Sequence, residues 1–297
     1  MDVYQPVSYK LDSKLGTEAE FKNMIKQCNA VGVDIIADVV LNQTTGADVA
    51  DGKQTGVAGT EYNGSTGDYP GFATEQYPEG ITASDFHSCS KNISNYANQQ
   101  EVQECRLSSM WDFDSESEKV QDIQSDYLAA LWNAGVRGFR MDAVKHIHTD
   151  SMKAIKEKFA KKIGVNADSI YWIQEVIGNS SEAAGIQPSN YVQNGTVTEF
   201  GFKSEMNQAF KDKIANLKGL NERLSKDLAS EDANVFVTNW DTARNEGALT
   251  YKDGAKYQLA NAFMLAYDYG TPRCFPTTSG MRTTTAHREP PPHPFRT

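Results

Sequence analysis

The sequence predicts an α/β fold of the (β/α)8, or TIM, barrel type interrupted by a small inserted subdomain, and three observations carry that prediction. A unit of helix, glycine, short β-branched strand and acidic residue recurs along the chain. The run Val33 to Val40 is short, β-branched and nearly continuous, the pattern of a parallel strand buried on both faces. One long stretch rich in Gly, Asn, Thr and Tyr breaks the rhythm. Alternating helices and strands imply right-handed βα crossovers, and in such a barrel the chemistry gathers at the carboxyl ends of the strands.

The elements follow in order. From Thr17 to Ala30, Phe21, Met24, Ile25 and Cys28 recur at helical spacing, and Gly32 supplies the stop. Val33 to Val40 (VDIIADVV) is the next strand. Thr44 to Trp111 is too long for an ordinary βα loop and reads as the inserted subdomain. Val120 to Trp132 is an amphipathic helix ended by Gly135, and Val136 to Val144 (VRGFRMDAV) is its strand. A helix from Ser151 to Ile163 precedes the strand Ser169 to Val176 (SIYWIQEV), and a helical stretch near Leu217 to Leu228 precedes Asn234 to Asp241 (NVFVTNWD). The four strands each carry a carboxylate at their end, Asp38, Asp142, Glu175 and Asp241, and so point to one shared mouth. The resulting division is 1–43 and 112–273 for the barrel, 44–111 for the insert, and 274–297 for a Thr-, Pro- and Arg-crowded tail read as disordered or out of frame.

Composition bounds the function. The 297 residues carry 29 Lys and Arg against 39 Asp and Glu, a net charge of −10, which opposes binding to a phosphate backbone. No run approaches the roughly 18 apolar residues of a membrane span, and the start, Met1-Asp2-Val3-Tyr4-Gln5-Pro6, has no leader pattern. Cys89 and Cys105, 16 residues apart in the polar insert, suit a disulfide, and a zinc site is less favoured because neither belongs to a CxxC pair. Cys28 and Cys274 have no evident partner. Asn-x-Ser/Thr sequons begin at Asn42, Asn63, Asn92, Asn179 and Asn194, and with the cysteines they point to a secreted parent protein.

Read together, the strand ends resemble the α-amylases of the glycoside hydrolase family that contains animal and related bacterial enzymes. DVVLNQ (Asp38 to Gln43), GFRMDAVKH (Gly138 to His146), QEVIG (Gln174 to Gly178) and FVTNWD (Phe236 to Asp241) resemble the family's four ordered regions, and YQPVSYKL (Tyr4 to Leu11) is similar to the cleft segment before the third barrel strand. The resemblance implies an incomplete TIM barrel of about six strands with the subdomain inserted after the third strand. It also implies retaining endo-hydrolysis of α-1,4-glucosidic bonds, with an α-glucan as partner and a monomeric chain. Asp142 would be the nucleophile, Glu175 the acid/base, and Asp241 a stabiliser of the oxocarbenium-like transition state. Arg140 would keep Asp142 ionised. Tyr4, Gln5, Gln43, Arg140, Lys145, His146 and Trp240 would line the substrate cleft.

The same resemblance implies calcium held by Asn42 and Asp112 with the backbone carbonyls of Gln103 and His146, and chloride held by Arg140, Asn239 and Arg273. Two positions depart from the family pattern, which has His where this chain has Gln43 and Trp240. Gln retains hydrogen-bonding capacity, whereas Trp240 adds bulk beside the scissile bond. These departures leave a second reading, a non-catalytic homologue that at most binds α-glucan. A barrel lyase using Lys145 as a Schiff base is a remoter alternative. An unfolded product of a truncated, frame-shifted gene is a further one.

Overall fold

The computed structural model of the chain describes residues 4–49, 51–244 and 247–275; the expectations for the tail beyond Phe275 fall outside the described residues. The first helix, α1 (Glu18–Ala30), starts at a capping box in which Thr17 Oγ1 accepts from the Glu20 N–H and the Glu20 carboxylate accepts from the Thr17 N–H. Ile25 is its one fully buried residue. Gly32, at φ 78°, turns the chain into β1 (Ile36–Val40).

Four small elements follow: β2 (Gln43–Gly46), β3 (Gln54–Thr55), β4 (Glu61–Tyr62) and α2 (Gln99–Glu104). Strand β5 (Met110–Asp112) then returns antiparallel to β2, pairing Asp112 with Gln43. Between them a cluster of Tyr69, Phe72, Ile81, Phe86 and Phe113 packs on Val120 and Ile123 of α3 (Glu118–Asn133). The disulfide Cys89–Cys105 is present in this segment; Cys28 and Cys274 are free.

The rest of the chain holds β6 (Gly138–Asp142), α4 (Thr149–Ile163), β7 (Tyr171–Gln174), β8 (Thr196–Glu199), α5 (Phe200–Asn207), α6 (Leu220–Leu224), β9 (Ala233–Val235), α7 (Ala255–Ala266) and β10 (Thr271–Pro272). Six strands form one parallel sheet in the order β1-β6-β7-β8-β9-β10. Its main core is filled by alternate strand residues and the covering helices: Phe139 of β6 meets Phe159 of α4 edge-on at 5.3 Å and Trp172 of β7 at 5.6 Å.

Several expectations need correction. Strand β1 is not buried on both faces: it lies at the sheet edge, and Ile36 is 45% exposed. Asp38 stands in the middle of β1 rather than at its end, and β9 stops at Val235, so Asp241 lies in the loop beyond it. The helical stretch near 217–228 shrinks to α6 because Gly219, at φ 70°, breaks it. Strand β8 was not anticipated; its sequence, Thr-Val-Thr-Glu, has a single aliphatic residue. No helix among the described residues is long and apolar enough to cross a membrane.

Candidate active site

Side chains two apart on a strand share a face, so Asp38 on β1 and Arg140 and Asp142 on β6 point away from the helix-covered side. Register reinforces this, because Asp38 pairs with Arg140 and Val40 with Asp142. Arg140 is buried, and its Nη1 donates to Asp38 Oδ1 at 2.7 Å and to Asp142 Oδ1 at 2.8 Å. Its Nη2 meets Glu175 Oε1 at 2.7 Å. Glu175 follows β7 directly; its N–H donates to the Met141 carbonyl, and its Oε2 accepts from the Ala143 N–H at 3.1 Å. Ala143 reaches that position only by adopting φ 50°, a left-handed conformation costly for a residue with a Cβ.

One guanidinium thus faces three carboxylates. Burial penalises the Arg140 charge, but Glu175, Asp38 and Asp142 outweigh it and hold the guanidinium protonated. Burial first, and then the Glu175 charge, push the Asp142 carboxyl up to about 7. With a single cation between them, the first carboxylate of the pair to ionise makes the second harder to ionise. Burial and the Glu175 charge thus outweigh Arg140, so the guanidinium alone does not hold Asp142 ionised as the sequence reading expects.

The remaining cleft residues divide into those that join this cluster and those that do not. Tyr4 Oη donates to Asp38 Oδ2 at 2.6 Å, and its ring lies 6.0 Å from the Arg140 guanidinium. Gln43 Nε2 donates to the Tyr4 carbonyl at 3.2 Å and reaches Asp142 Oδ2 at 3.5 Å, while its Oε1 is buried without a partner. The Trp240 ring sits between two guanidiniums, 5.2 Å from that of Arg140 and 5.5 Å from that of Arg273. Arg273 is further held over Phe236 at 6.0 Å. Burial, and next the charge of Arg140, lower the Arg273 pKa. Asn239 spends its Oδ1 on the N–H and hydroxyl of Thr242.

Asp241 is not brought into the cluster. With Trp240 filling the space beside Arg140, the next side chain is exposed, and no hydrogen bond or ion pair among the described residues engages its carboxylate. Gln5 is half-buried. Lys145 pairs with Glu182 and lies 5.5 Å from the Tyr96 ring; neither partner was foreseen, since Glu182 belongs to no strand end. The His146 ring contacts the Val102 carbonyl through Nδ1 at 3.0 Å, and burial lowers its pKa to about 4, so it is neutral.

Around the expected calcium position, Asp112 and Asn42 are buried, and Asp112 Oδ1 and Asn42 Nδ2 have no hydrogen-bond partner. Asp112 Oδ2 takes a 2.7 Å contact from His87 Nδ1. Burial raises the Asp112 carboxyl to about 7, with His87 opposing the shift. The Gln103 side chain is committed elsewhere, its Nε2 donating to the Ile147 carbonyl and the Tyr191 hydroxyl, which leaves only its backbone for an ion. A buried carboxylate oxygen without a donor, beside an amide whose orientation can be reversed, fits a hard cation. Around the expected chloride position, Arg140 Nε and Trp240 Nε1 are buried donors without acceptors, which fits a small anion between Arg140 and Arg273.

The family model for the α-amylase catalytic domain matches residues 5–273. The chain belongs to this family. It is 37% identical over 270 residues to an α-amylase of Streptomyces violaceus, covering 91% of this chain and 43% of that protein. It is 40% identical over 273 residues to one of Thermomonospora curvata, covering 91% and 42%. The chain therefore spans about half the length of the curated relatives it matches. Among solved structures, the α-amylase I of Eisenia fetida superposes with a TM-score of 0.79 at 34% identity over 91% of this chain and 56% of that one. A mutant of the same enzyme, in complex with maltohexaose, gives 0.78 at 32% identity over the same shares. These likenesses agree with the six-stranded parallel sheet of the fold.

Proposed function

We propose that this site hydrolyses internal α-1,4-glucosidic bonds of starch- or glycogen-type polysaccharides with retention of configuration. The observation that carries the reading is the single buried guanidinium of Arg140 bridging Asp142 and Glu175. Asp142 attacks the anomeric carbon, and Glu175 gives its proton to the leaving oxygen; the resulting glycosyl ester is cleaved by water that Glu175 deprotonates. Arg140 aligns Asp142 for attack, and the Ala143 N–H fixes Glu175. Tyr4 and Gln43 border the sugar-binding face. Asp241, exposed here, meets a substrate hydroxyl once the glucan is in place.

Calcium, held by Asn42, Asp112 and the carbonyls of Gln103 and His146, would supply a rigid tie between the insert and the barrel. The anion expected between Arg140, Asn239 and Arg273 would offset part of the positive charge of the two guanidiniums. The disulfide supports a secreted, oxidising setting for the parent protein.

The test is release of reducing sugar from soluble starch by the 297-residue chain in calcium and chloride, beside Asp142→Asn. Release that is lost in the variant supports the reading. A chain that is retained on immobilised maltooligosaccharide but releases no sugar supports the second reading, a glucan binder, which is favoured by Trp240 wedged against Arg140 and by the outward Asp241.

A further inference from the structure

Outside the catalytic cluster, the junction between the insert and the barrel gathers two imidazoles and several carboxylates. His87 comes from the insert, Asp114 and Glu116 follow β5, and His148 precedes α4. His87 Nε2 is 3.0 Å from Glu116 Oε2 and 3.8 Å from Asp114 Oδ1. One ligand atom from each of the three residues lies within 4.8 Å of the others. A tetrahedral ion with bonds of about 2.0–2.2 Å sets its ligand atoms roughly 3.4 Å apart, and the two measured separations bracket that value.

We propose that His87, Asp114 and Glu116 bind a divalent first-row transition ion of the Zn2+ class, at a site separate from the calcium position. Three features beyond proximity favour it. The His87 ring is oriented by the buried Asp112, whose Oδ2 takes its Nδ1–H at 2.7 Å, the carboxylate–histidine arrangement that fixes a ligand's tautomer and presents Nε2 to a metal. The other Glu116 oxygen, Oε1, lies 2.9 Å from His148 Nε2, which steadies the ligand from the far side. Asp114 and Glu116 are 38% and 45% exposed at their side chains, which leaves an entry path and a position for water. An imidazole with two carboxylates suits Zn2+ or Co2+ better than Ca2+, which prefers an all-oxygen shell. Binding displaces the His87 proton and ties the insert to the segment leading into α3. Because Asp112 orients His87 with one oxygen and offers the other to calcium, the two sites would be linked through that carboxylate without sharing it as a ligand.

The experiment titrates ZnCl2, and separately CoCl2, into the full chain with calcium in excess. Binding is followed by calorimetry and, for Co2+, by its visible absorption. The expected result is one equivalent bound, with affinity falling about 10- to 100-fold or more in the Asp114→Asn/Glu116→Gln double variant. His87→Gln, which keeps a donor for Asp112, should do the same, and Glu118→Gln, an exposed neighbour, should bind like the parent. Asp114 and Glu116 are exposed enough that circular dichroism of the double variant should match the parent. The same isotherm in parent and double variant, no binding at all, or displacement of the ion by calcium would each overturn the proposal. The cluster would then be an ion-pair network only. None of these readouts depends on catalysis, so the outcome stands apart from that of the starch assay.

Discussion

Arg140 serves three carboxylates with one guanidinium, and its loss should be felt in both stability and activity. Arg140→Met leaves a buried, uncompensated set of acids and should cost about 3–5 kcal/mol in urea unfolding. Arg140→Lys keeps the charge but not the two-pronged geometry, so it should fold better than the Met variant and still lose most sugar release. If Trp240 crowds the cleft, Trp240→His should raise kcat/KM on starch. A pH effect attaches to Glu199, which sequence reading missed because its short strand carries so little apolar signal. Burial lifts its carboxyl from the usual 4.5 to about 7, with the Gly201 N–H opposing. The folded form thus holds this proton more tightly than the unfolded form, so the contribution is fully present below about pH 4.5 and is lost as pH rises through about 7. Glu199→Gln should therefore gain up to about 3 kcal/mol relative to the parent between pH 5 and pH 9, read from paired melts. The acids and Arg140 were legible because residue type and order survive in sequence; their partners were not. The contact of Gln43 with Asp142, the stacking of Trp240 and the pairing of Lys145 with Glu182 depend on register and loop path, which a linear pattern does not carry.

At the scale of elements, legibility followed the strength of the local signal. Helix α1 could be read from its spacing and its stop, and α3 and α4 from their amphipathic runs, because each buries one continuous stripe against the sheet. Strands came out longer in the sequence reading than in the structure. The segment Phe236 to Asp241, expected as strand, continues past the last hydrogen-bonded pair of β9 and carries site residues instead of ladder residues. The insert, poor in long elements, relies on its aromatic cluster and on Cys89–Cys105. A disulfide closing a loop of 16 residues contributes about 3 kcal/mol by limiting the unfolded chain. Cys89→Ser/Cys105→Ser should lose about that much in equilibrium unfolding, and reduction of the parent should reproduce the loss. Two sequons are closed to modification in the folded state, since Asn42 and Asn194 are 2% and 1% exposed. Burial of this kind is a tertiary property that no tripeptide reveals.

Across the whole molecule, repetition of the helix–strand unit made the barrel-type sheet legible, while the state of its margins was not. Strands β1 and β10 bound the sheet, and around β1 Val31, Val33 and Ile36 are 77%, 51% and 45% exposed. An unpaired strand edge with apolar neighbours favours association. Sedimentation velocity of the 297-residue chain should show concentration-dependent oligomers, reduced by Val33→Lys/Ile36→Lys; a sharp monomer peak at all concentrations would refute this. The pairing of β1 with β6 also has a consequence in time. Asp38 and Arg140 meet across 102 residues, nearly all of them the insert and α3. At synthesis rates of about 5–20 residues per second, β1 leaves the ribosome roughly 5 to 20 s before the strand that will cover its flank. The nascent chain therefore passes through an interval in which VDIIADVV is accessible to chaperones, and the insert, closing on itself first, sets how long that interval lasts.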